Sequence, residues 1–432
     1  MSDREKEQRI QIGLAVAAAD DISAKLEGIA GLENLAVAGG LRRFEETVTS
    51  IDLIATAEDA QEAIKAFVSL PKVSKVHETD GDRAGVTIAG GVRANLFLIP
   101  EDCLGSGLQC FTGNERHNAK LAKRALQEGL RISELGISDI RTGRAEKFAT
   151  EEAFYDRLGL QYIPPEIREG KQEIEKAAKG QIPELLKLSD MKGELHVHTD
   201  WSDGKNTIEE MVLAAKARGY EYIGIADHSY GGRIARGEGY TEQRREIERL
   251  NRKIDGIHIL SGGEVNVMPD GNLEISDEIL SQMDFVIAAV HHQLDMPRNQ
   301  MLKRIIKAME NPYVHILAHP TSRRVIPIPE PVEYGPVDVD METLFEAAVE
   351  TDTALEIDSM PSRLDLNDAH ALRARELGVK LIIDTDSHRI ANLEYLRFGV
   401  SIARRAWCKP SDIVNTKPIN DMLALLRRKN RS

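Results

Sequence analysis

The chain has 432 residues, 42% hydrophobic and 29% charged, with a formal net charge of −14. That is enough for two or three domains with real cores and an ordinary soluble composition, and the acidic balance argues against broad coating of nucleic acid, though not against a local basic groove. The three cysteines, Cys103, Cys110 and Cys408, form no CxxC pair, which argues against a disulfide scaffold and for a reducing compartment. No apolar run approaches bilayer length, and MSDREKEQR opens the chain with no apolar signal region behind it, so a cytoplasmic protein is expected, with no membrane partner.

The first elements read as a mixed α+β region. Residues 11–29 have helical spacing and stop at Gly31. ENLAVAGG (33–40) is a strand running into a glycine turn, and TSIDLIATA (49–57) is a second strand. EDAQEAIKAFVSL (58–70) is a helix whose acidic first turn suits its dipole. GVTIAGG and VRANLFLIP (85–100) read as a strand pair joined at glycines, and NERHNAKLAKRALQEG (114–129) as a helix ended by Gly129. A polar, proline-containing stretch follows, with only short elements.

From about Lys192 the pattern changes. The apolar runs GELHVHTDWSDG (193–204), YIGIADH (222–228), IHILSGGE (257–264), FVIAAVHH (285–292), VHILAHP (314–320), ALEID (354–358) and KLIIDTDSH (380–388) each carry His, Asp or Glu at or near the end. Their ends recur at roughly thirty residues, the length of one β-α unit. Helical segments such as TIEEMVLAAKARG (207–219), capped by Asn206-Thr207, alternate with them. Seven such steps predict a closed (β/α)7-type barrel rather than an open sheet, with polar strand ends gathered at one mouth.

Those ends form the candidate metal site. His196 and His198 alternate on one strand and so face one side. The expected ligands are His196, His198, Asp203, His228, Glu264, His291, His319, Asp386 and His388, which take six of the chain's twelve histidines. Nine ligands are too many for one ion and fit two or three divalent ions; imidazole suits manganese, zinc and iron, and carboxylates bridge between them. Asp200 is an alternative to Asp203, and His292 to His291, although strand alternation lets only one of that pair face the site. Asp227 is a candidate to orient a ligand or to cap a loop. Arg323 and Arg363 are candidate phosphate clamps. Glu356 and Asp358, on the strand with no assigned ligand, are candidates for a supporting layer.

In these segments the chain resembles the PHP (polymerase and histidinol phosphatase) family: HxH, DH, GxE, VH, HP and DxH follow in order across 193–388. The resemblance implies a (β/α)7 barrel with a trinuclear metal site that hydrolyses phosphoesters, with the nine residues as ligands. Glu194 where Asp is usual, Asp358 where Asn is usual and Ser387 where Ala is usual depart from the pattern without removing a ligand.

FTGNERHNAKLAKRA (111–125), LGLQYIPPEIREG followed by IPELL, SRLDLND (362–368) and GVSIARRAWCKPSDIVNT (399–416) extend the resemblance, over nearly the whole chain, to bacterial family X DNA polymerases with a C-terminal PHP domain. It implies a mixed α+β nucleotidyltransferase-like palm and thumb at 8–150, a connector at 151–191 and the PHP barrel at 192–425. It also implies manganese-dependent 3′–5′ exonuclease activity, with DNA 3′ ends, single-stranded or gapped, as partner. The polymerase half departs from its family. Gly39-Gly40-Leu41-Arg42-Arg43 stands where Gly-Ser precedes Arg-Arg, Ser50-Ile51-Asp52 stands where Asp-x-Asp is usual, and Asn95 occupies the place of the third carboxylate. Two-metal nucleotidyl transfer needs carboxylates to hold both ions. A degenerate palm is therefore expected, without counterparts of the 5′-phosphate-gripping module or the fingers, joined to an intact hydrolase. A small-molecule phosphatase of the histidinol-phosphate type and a non-catalytic DNA-binding scaffold are the alternatives.

Overall fold

A computed structural model describes residues 9–29, 31–234, 239–325 and 336–429. The chain divides into two compact units, one within residues 1–183 and the other within 184–432.

The first unit is built on a five-stranded mixed sheet. Among the described residues its strands are β1 (Ile10–Gln11), β2 (Leu32–Val37), β3 (Thr47–Val48), β4 (Ser50–Ala57), β5 (Val73–Asp80), β6 (Arg83–Ile88), β7 (Val92–Leu98), β8 (Leu130–Ser133), β9 (Gly136–Asp139) and β10 (Ala145–Glu146). The main sheet runs β2-β4-β7-β6-β5, with only β4 and β7 parallel. Helix Ile12–Leu26 buries Ile12, Ala15, Ala19, Ile22 and Leu26, the three-to-four spacing of one helical face. Helix Ala60–Val68 starts where Asp59 accepts from the main-chain N–H of Gln61 at 3.0 Å and of Glu62 at 3.1 Å. Helix Glu115–Gln127 starts at Asn114, whose side chain accepts from the main-chain N–H of His117 at 3.0 Å. Strand β5 and helix Leu104–Thr112 lie outside the elements expected from the sequence. Strand β5 is an exposed edge with no buried face to write an alternation, and LGSGLQCFT carries two glycines and no charge that would mark a helix.

A buried ion network ties the end of this unit together. The fully buried Arg168 donates to Glu151 at 2.7 Å and to the Ile163 carbonyl at 2.9 Å, and Arg42 reaches the same carboxylate at 2.6 Å. The Arg168 guanidinium lies 5.2 Å from the Tyr155 ring centroid and 5.7 Å from that of Tyr162.

The second unit is a barrel of seven parallel strands: β11 (Gly193–Val197), β12 (Tyr222–Ile225), β13 (His258–Asn266), β14 (Phe285–Ala289), β15 (Ile316–Leu317), β16 (Ala354–Asp358) and β17 (Leu381–Asp384). They pair in sequence order. The seam between first and last is bridged just past β17, where the His198 N–H donates to the Ser387 carbonyl at 2.8 Å and that of Ser387 to the His196 carbonyl at 3.3 Å. Leu195, Tyr222, Leu260, Phe285, Ile287, Ile316, Ala354 and Ile382 fill the interior with Met422 and Leu426 of the last helix, Ile419–Lys429. His315, at the start of β15, bonds the Leu426 carbonyl at 3.0 Å, so that helix stoppers the N-terminal end of the barrel. The opposite end is left for function.

Candidate metal centre

The register of β11 against β12 shifts between Glu194 and Val197. Through this irregularity two successive residues turn inward: Leu195 into the apolar interior and His196 onto polar partners above it. His198 follows on the same side as His196.

Glu264, at the centre, comes from β13. Its Oε1 lies 3.0 Å from His319 Nε2 and 3.1 Å from His291 Nε2. Its Oε2 lies 2.8 Å from His228 Nδ1, 3.4 Å from His196 Nε2 and 3.5 Å from His198 Nε2. Asp386 Oδ1 is 3.1 Å from His198 Nε2, 3.6 Å from His388 Nδ1 and 3.7 Å from His196 Nε2. Asp203 reaches in from the loop after β11, with Oδ2 3.2 Å from His388 Nε2 and Oδ1 3.8 Å from His228 Nε2. All nine expected ligand positions thus meet at one end of the barrel. His291 faces the cluster while His292 is exposed at its rim. His319 and Asp386 hold positive φ angles of 27° and 50°, and Ser322 and Leu364 nearby hold 46° and 48°. Such backbone is costly for residues with a side chain and gathers at functional sites.

The donor chemistry fits bound cations. Three sets of ligand atoms lie within 4.8 Å of one another: His198, Asp203, His228 and His388; His196, His198 and Glu264; and His228, Glu264 and His291. His196 Nε2, both ring nitrogens of His198, His228 Nδ1 and Glu264 Oε2 are buried without a hydrogen-bond partner among the described residues, an expensive arrangement unless something else satisfies them. Burial pushes the Glu264 carboxyl up, but His291, His196 and His228 overcome it and hold the group well below the usual carboxylate range. Asp386 is likewise held well below it, against burial, by His196, His198 and Arg363. Burial disfavours charge on His388, yet Asp203 and Asp386 raise it to about 9.

A supporting layer sets the tautomers. Glu356 Oε1 accepts from His196 Nδ1 at 2.7 Å, and its Oε2 from the His319 main-chain N–H at 2.8 Å. Asn266 donates its amide to Glu274 at 2.9 Å, which leaves its Oδ1 to accept from His291 Nδ1 at 2.6 Å. His388 Nδ1 donates to the Asp386 carbonyl at 2.9 Å. In all three rings the partner fixes a proton on Nδ1 and turns Nε2 inward, the nitrogen that would bind a cation on giving up any proton it carries. The sequence reasoning marked Glu356 but missed Asn266, two residues beyond Glu264 and so on the same face of β13.

The remaining candidates separate. Arg363 lines the cluster, with Nη2 3.9 Å from Asp386 Oδ2 and Nε 3.7 Å from Asp358 Oδ2. Arg323 donates to the Leu364 carbonyl at 3.0 Å. Asp227, a candidate to orient a ligand or to cap a loop, spends its carboxylate on the chain around it. It accepts from Thr199 N and Oγ1 at 2.7 and 2.6 Å, from Ser202 Oγ at 2.5 Å and from Gln243 Nε2 at 2.6 Å. It anchors the loop that carries Asp203, which is a positioning role.

In the first unit, β4 and β7 pair so that Asp52 stands opposite Asn95. Asn95 Nδ2 donates to Asp52 Oδ1 at 2.7 Å, and Ser50 Oγ lies 3.1 Å from each Asp52 oxygen. Gly39 is at φ 60° with its backbone against the Asp52 carboxylate, where a Cβ would collide. The three places where the resemblance puts carboxylates therefore lie together, and one of them holds a charge.

Seven parallel strands bring imidazoles and carboxylates to one end of a barrel, a donor set suited to divalent ions. The PHP domain family model matches residues 194–323, and the DNA polymerase beta thumb model matches residues 107–169. The DNA polymerase/3′-5′ exonuclease PolX of Bacillus subtilis is 35% identical over 426 residues, 98% of this chain and 73% of that protein. A probable phosphatase of Thermoanaerobacter sp. is 30% identical over 234 residues, 52% of this chain and 89% of its own length, and one of Caldicellulosiruptor bescii is 27% identical over 247 residues, 54% and 95%. The chain belongs to the family of bacterial family X DNA polymerases that carry a PHP domain.

Proposed function

We propose that the protein is a metal-dependent 3′–5′ exonuclease or 3′-end processing phosphoesterase acting on DNA, and that its polymerase half does not polymerise. The observation that carries the reading is the gathering of seven further donors around Glu264 and Asp386, with buried ring nitrogens that no described residue satisfies. His196, His198, Asp203, His228, Glu264, His291, His319, Asp386 and His388 would hold two or three divalent ions. Such ions supply Lewis-acid charge to a phosphoryl group and lower the pKa of water. The protein's own part is to fix the donors. Glu356, Asn266 and the Asp386 carbonyl hold three imidazoles in the ligating tautomer, and Asp227 fixes the Asp203 loop. Arg363, whose Nε is buried without a hydrogen-bond partner among the described residues, would receive a phosphate oxygen. Arg323 supports the loop beside it through the Leu364 carbonyl.

The loss of polymerase activity rests on Asp52. Ser50 and Asn95 surround it with neutral hydrogen-bonding groups in place of two carboxylates, so the charge that would hold two ions against incoming phosphates is missing. The remnant palm then serves as a docking platform or a structural unit.

The test is manganese-dependent digestion of single-stranded and gapped DNA by the wild type, His196→Ala and His319→Ala. Both variants are expected to lose more than the ~10–100-fold typical of supporting residues; unchanged digestion by both would sink the assignment. Primer extension by the unaltered protein would overturn the reading of the palm, and Ser50→Asp with Asn95→Asp probes how much of that site remains. A small-molecule phosphatase is the second reading, favoured by relatives named as probable phosphatases that match about half of the chain. Turnover of small monoesters with inertness towards DNA would select it.

A further inference from the structure

Tyr230 lies two residues beyond His228, in the segment that follows β12, and its ring stands at the edge of the cluster. Its centroid is 4.8 Å from that of His228, with the planes 31° apart, and 6.1 Å from that of His291. The ring therefore leans on two members of the cluster. Yet Tyr230 is 36% exposed, while His228 is 9% exposed and His196 and His198 are fully buried. Part of the ring is therefore open to a ligand that approaches the cluster. A second ring stands beside it. His292, exposed on the rim, has its centroid 6.0 Å from Tyr230, with the planes 58° apart. The cluster thus has a polar, charged floor and a small aromatic shelf at its mouth.

A phosphodiester drawn to the floor brings a nucleobase with it, one sugar away, and the shelf is the apolar surface next to the floor. Every base has a π-face, so stacking grips the terminal nucleotide without selecting its identity, as an enzyme that shortens any strand requires.

We propose that Tyr230, with His292 beside it, forms the stacking platform for the 3′-terminal base of a DNA strand whose last phosphodiester enters the cluster. This inference rests on the exonuclease reading and gives that site its specificity for a base-bearing polymer end. Tyr230 binds the part of the substrate that does not react, so its contribution appears in substrate preference.

The test uses the full chain with manganese and two single-stranded oligodeoxynucleotides that differ only at the 3′-terminal residue. One ends in an ordinary nucleotide and the other in a tetrahydrofuran abasic residue. The kcat/KM of each is measured for the wild type, Tyr230→Ala, Tyr230→Phe and Tyr230→Trp. The wild type is expected to prefer the base-bearing end by about 5- to 150-fold, the range spanned by one base–aromatic stack. That preference collapses towards one in Tyr230→Ala and survives in Tyr230→Phe and Tyr230→Trp. Equal losses on both substrates in Tyr230→Ala would mean that the ring only props His228, and would overturn the proposal. So would a wild type without preference, or a Tyr230→Ala variant that keeps it. A wild type that shortens neither oligonucleotide fails at an earlier point: the exonuclease reading falls, and the platform with it.

Discussion

At the scale of single residues, the metal centre depends on which nitrogen of each imidazole carries its proton. Glu356 settles this for His196 and, with its other oxygen, holds the His319 main-chain N–H. Glu356→Gln keeps the shape and removes one acceptor. The new amide must then face either an N–H of His319 or the Nδ1–H of His196, and relief by moving the His196 proton would place it on the nitrogen aimed at the cluster. We expect manganese affinity and nuclease activity to fall by about 10–100-fold with the fold intact. Titration calorimetry with manganese checks this, and wild-type affinity in the variant would refute it. The ligands themselves were legible because His, Asp and Glu at the ends of apolar strands have few other uses as a set. Their supports were less so. The His196–Glu356 bond joins residues 160 apart in sequence, and strand alternation says which face Glu356 occupies but not which residue stands across the barrel. For Asp227 the sequence left two roles open, orienting a ligand or capping a loop, and its distant partner Gln243, on helix Gly239–Lys253, could not be read from it.

Among elements, legibility followed burial. The barrel strands are buried throughout and stand out as apolar runs, whereas β5 has one face in water and the other nearly so. Helix Leu104–Thr112 is disguised by its glycines. Gly105 lies against the Thr150 backbone so closely that a Cβ would overlap it, so tertiary packing overrides helix propensity there. The same region holds the Arg168–Glu151 pair, which carries a pH signature. Burial pushes the Glu151 carboxyl up, but Arg168 and Arg42 overcome it and bring the group down to about 2. A depressed carboxylate contributes stability that is fully present above its unfolded value, near 4.5, and that disappears as the pH falls through about 2. Glu151→Gln removes that dependence and leaves Arg168 buried without its counter-charge, a change that costs about 3–5 kcal/mol. Urea melts followed by far-ultraviolet circular dichroism at pH 7 and pH 3 measure both effects. Equal stabilities of variant and wild type at pH 7 would show that the pair does not hold this unit together.

For the whole molecule, the division into two units has a measurable consequence. All nine donors lie within residues 184–432, and so do both tryptophans, Trp201 and Trp407. Trp201 is buried two residues before Asp203, with Nε1 3.2 Å from Glu246 and the Arg233 guanidinium 3.5 Å from its ring centroid. Tryptophan fluorescence therefore follows the barrel alone, while circular dichroism follows both units. Without cations, Glu264, Asp386 and Asp203 crowd one end of the barrel with Glu356 and Asp358 close behind, and several ring nitrogens are unsatisfied. Ions that bind only the folded barrel stabilise it by mass action, about 2.7 kcal/mol at a hundredfold excess over Kd. For a unit of this size that corresponds to roughly 5–10 °C in melting temperature. Exhaustive chelation should lower the fluorescence-detected midpoint by that much, and manganese should restore it. A dichroism transition belonging to the first unit should stay in place, because that unit retains one of the three expected palm carboxylates and so little means of holding an ion. A fluorescence midpoint indifferent to both chelator and manganese would count against the metal centre, whatever its activity on DNA. A first-unit transition that moved with manganese would instead show that Asp52 and its neighbours still bind a cation.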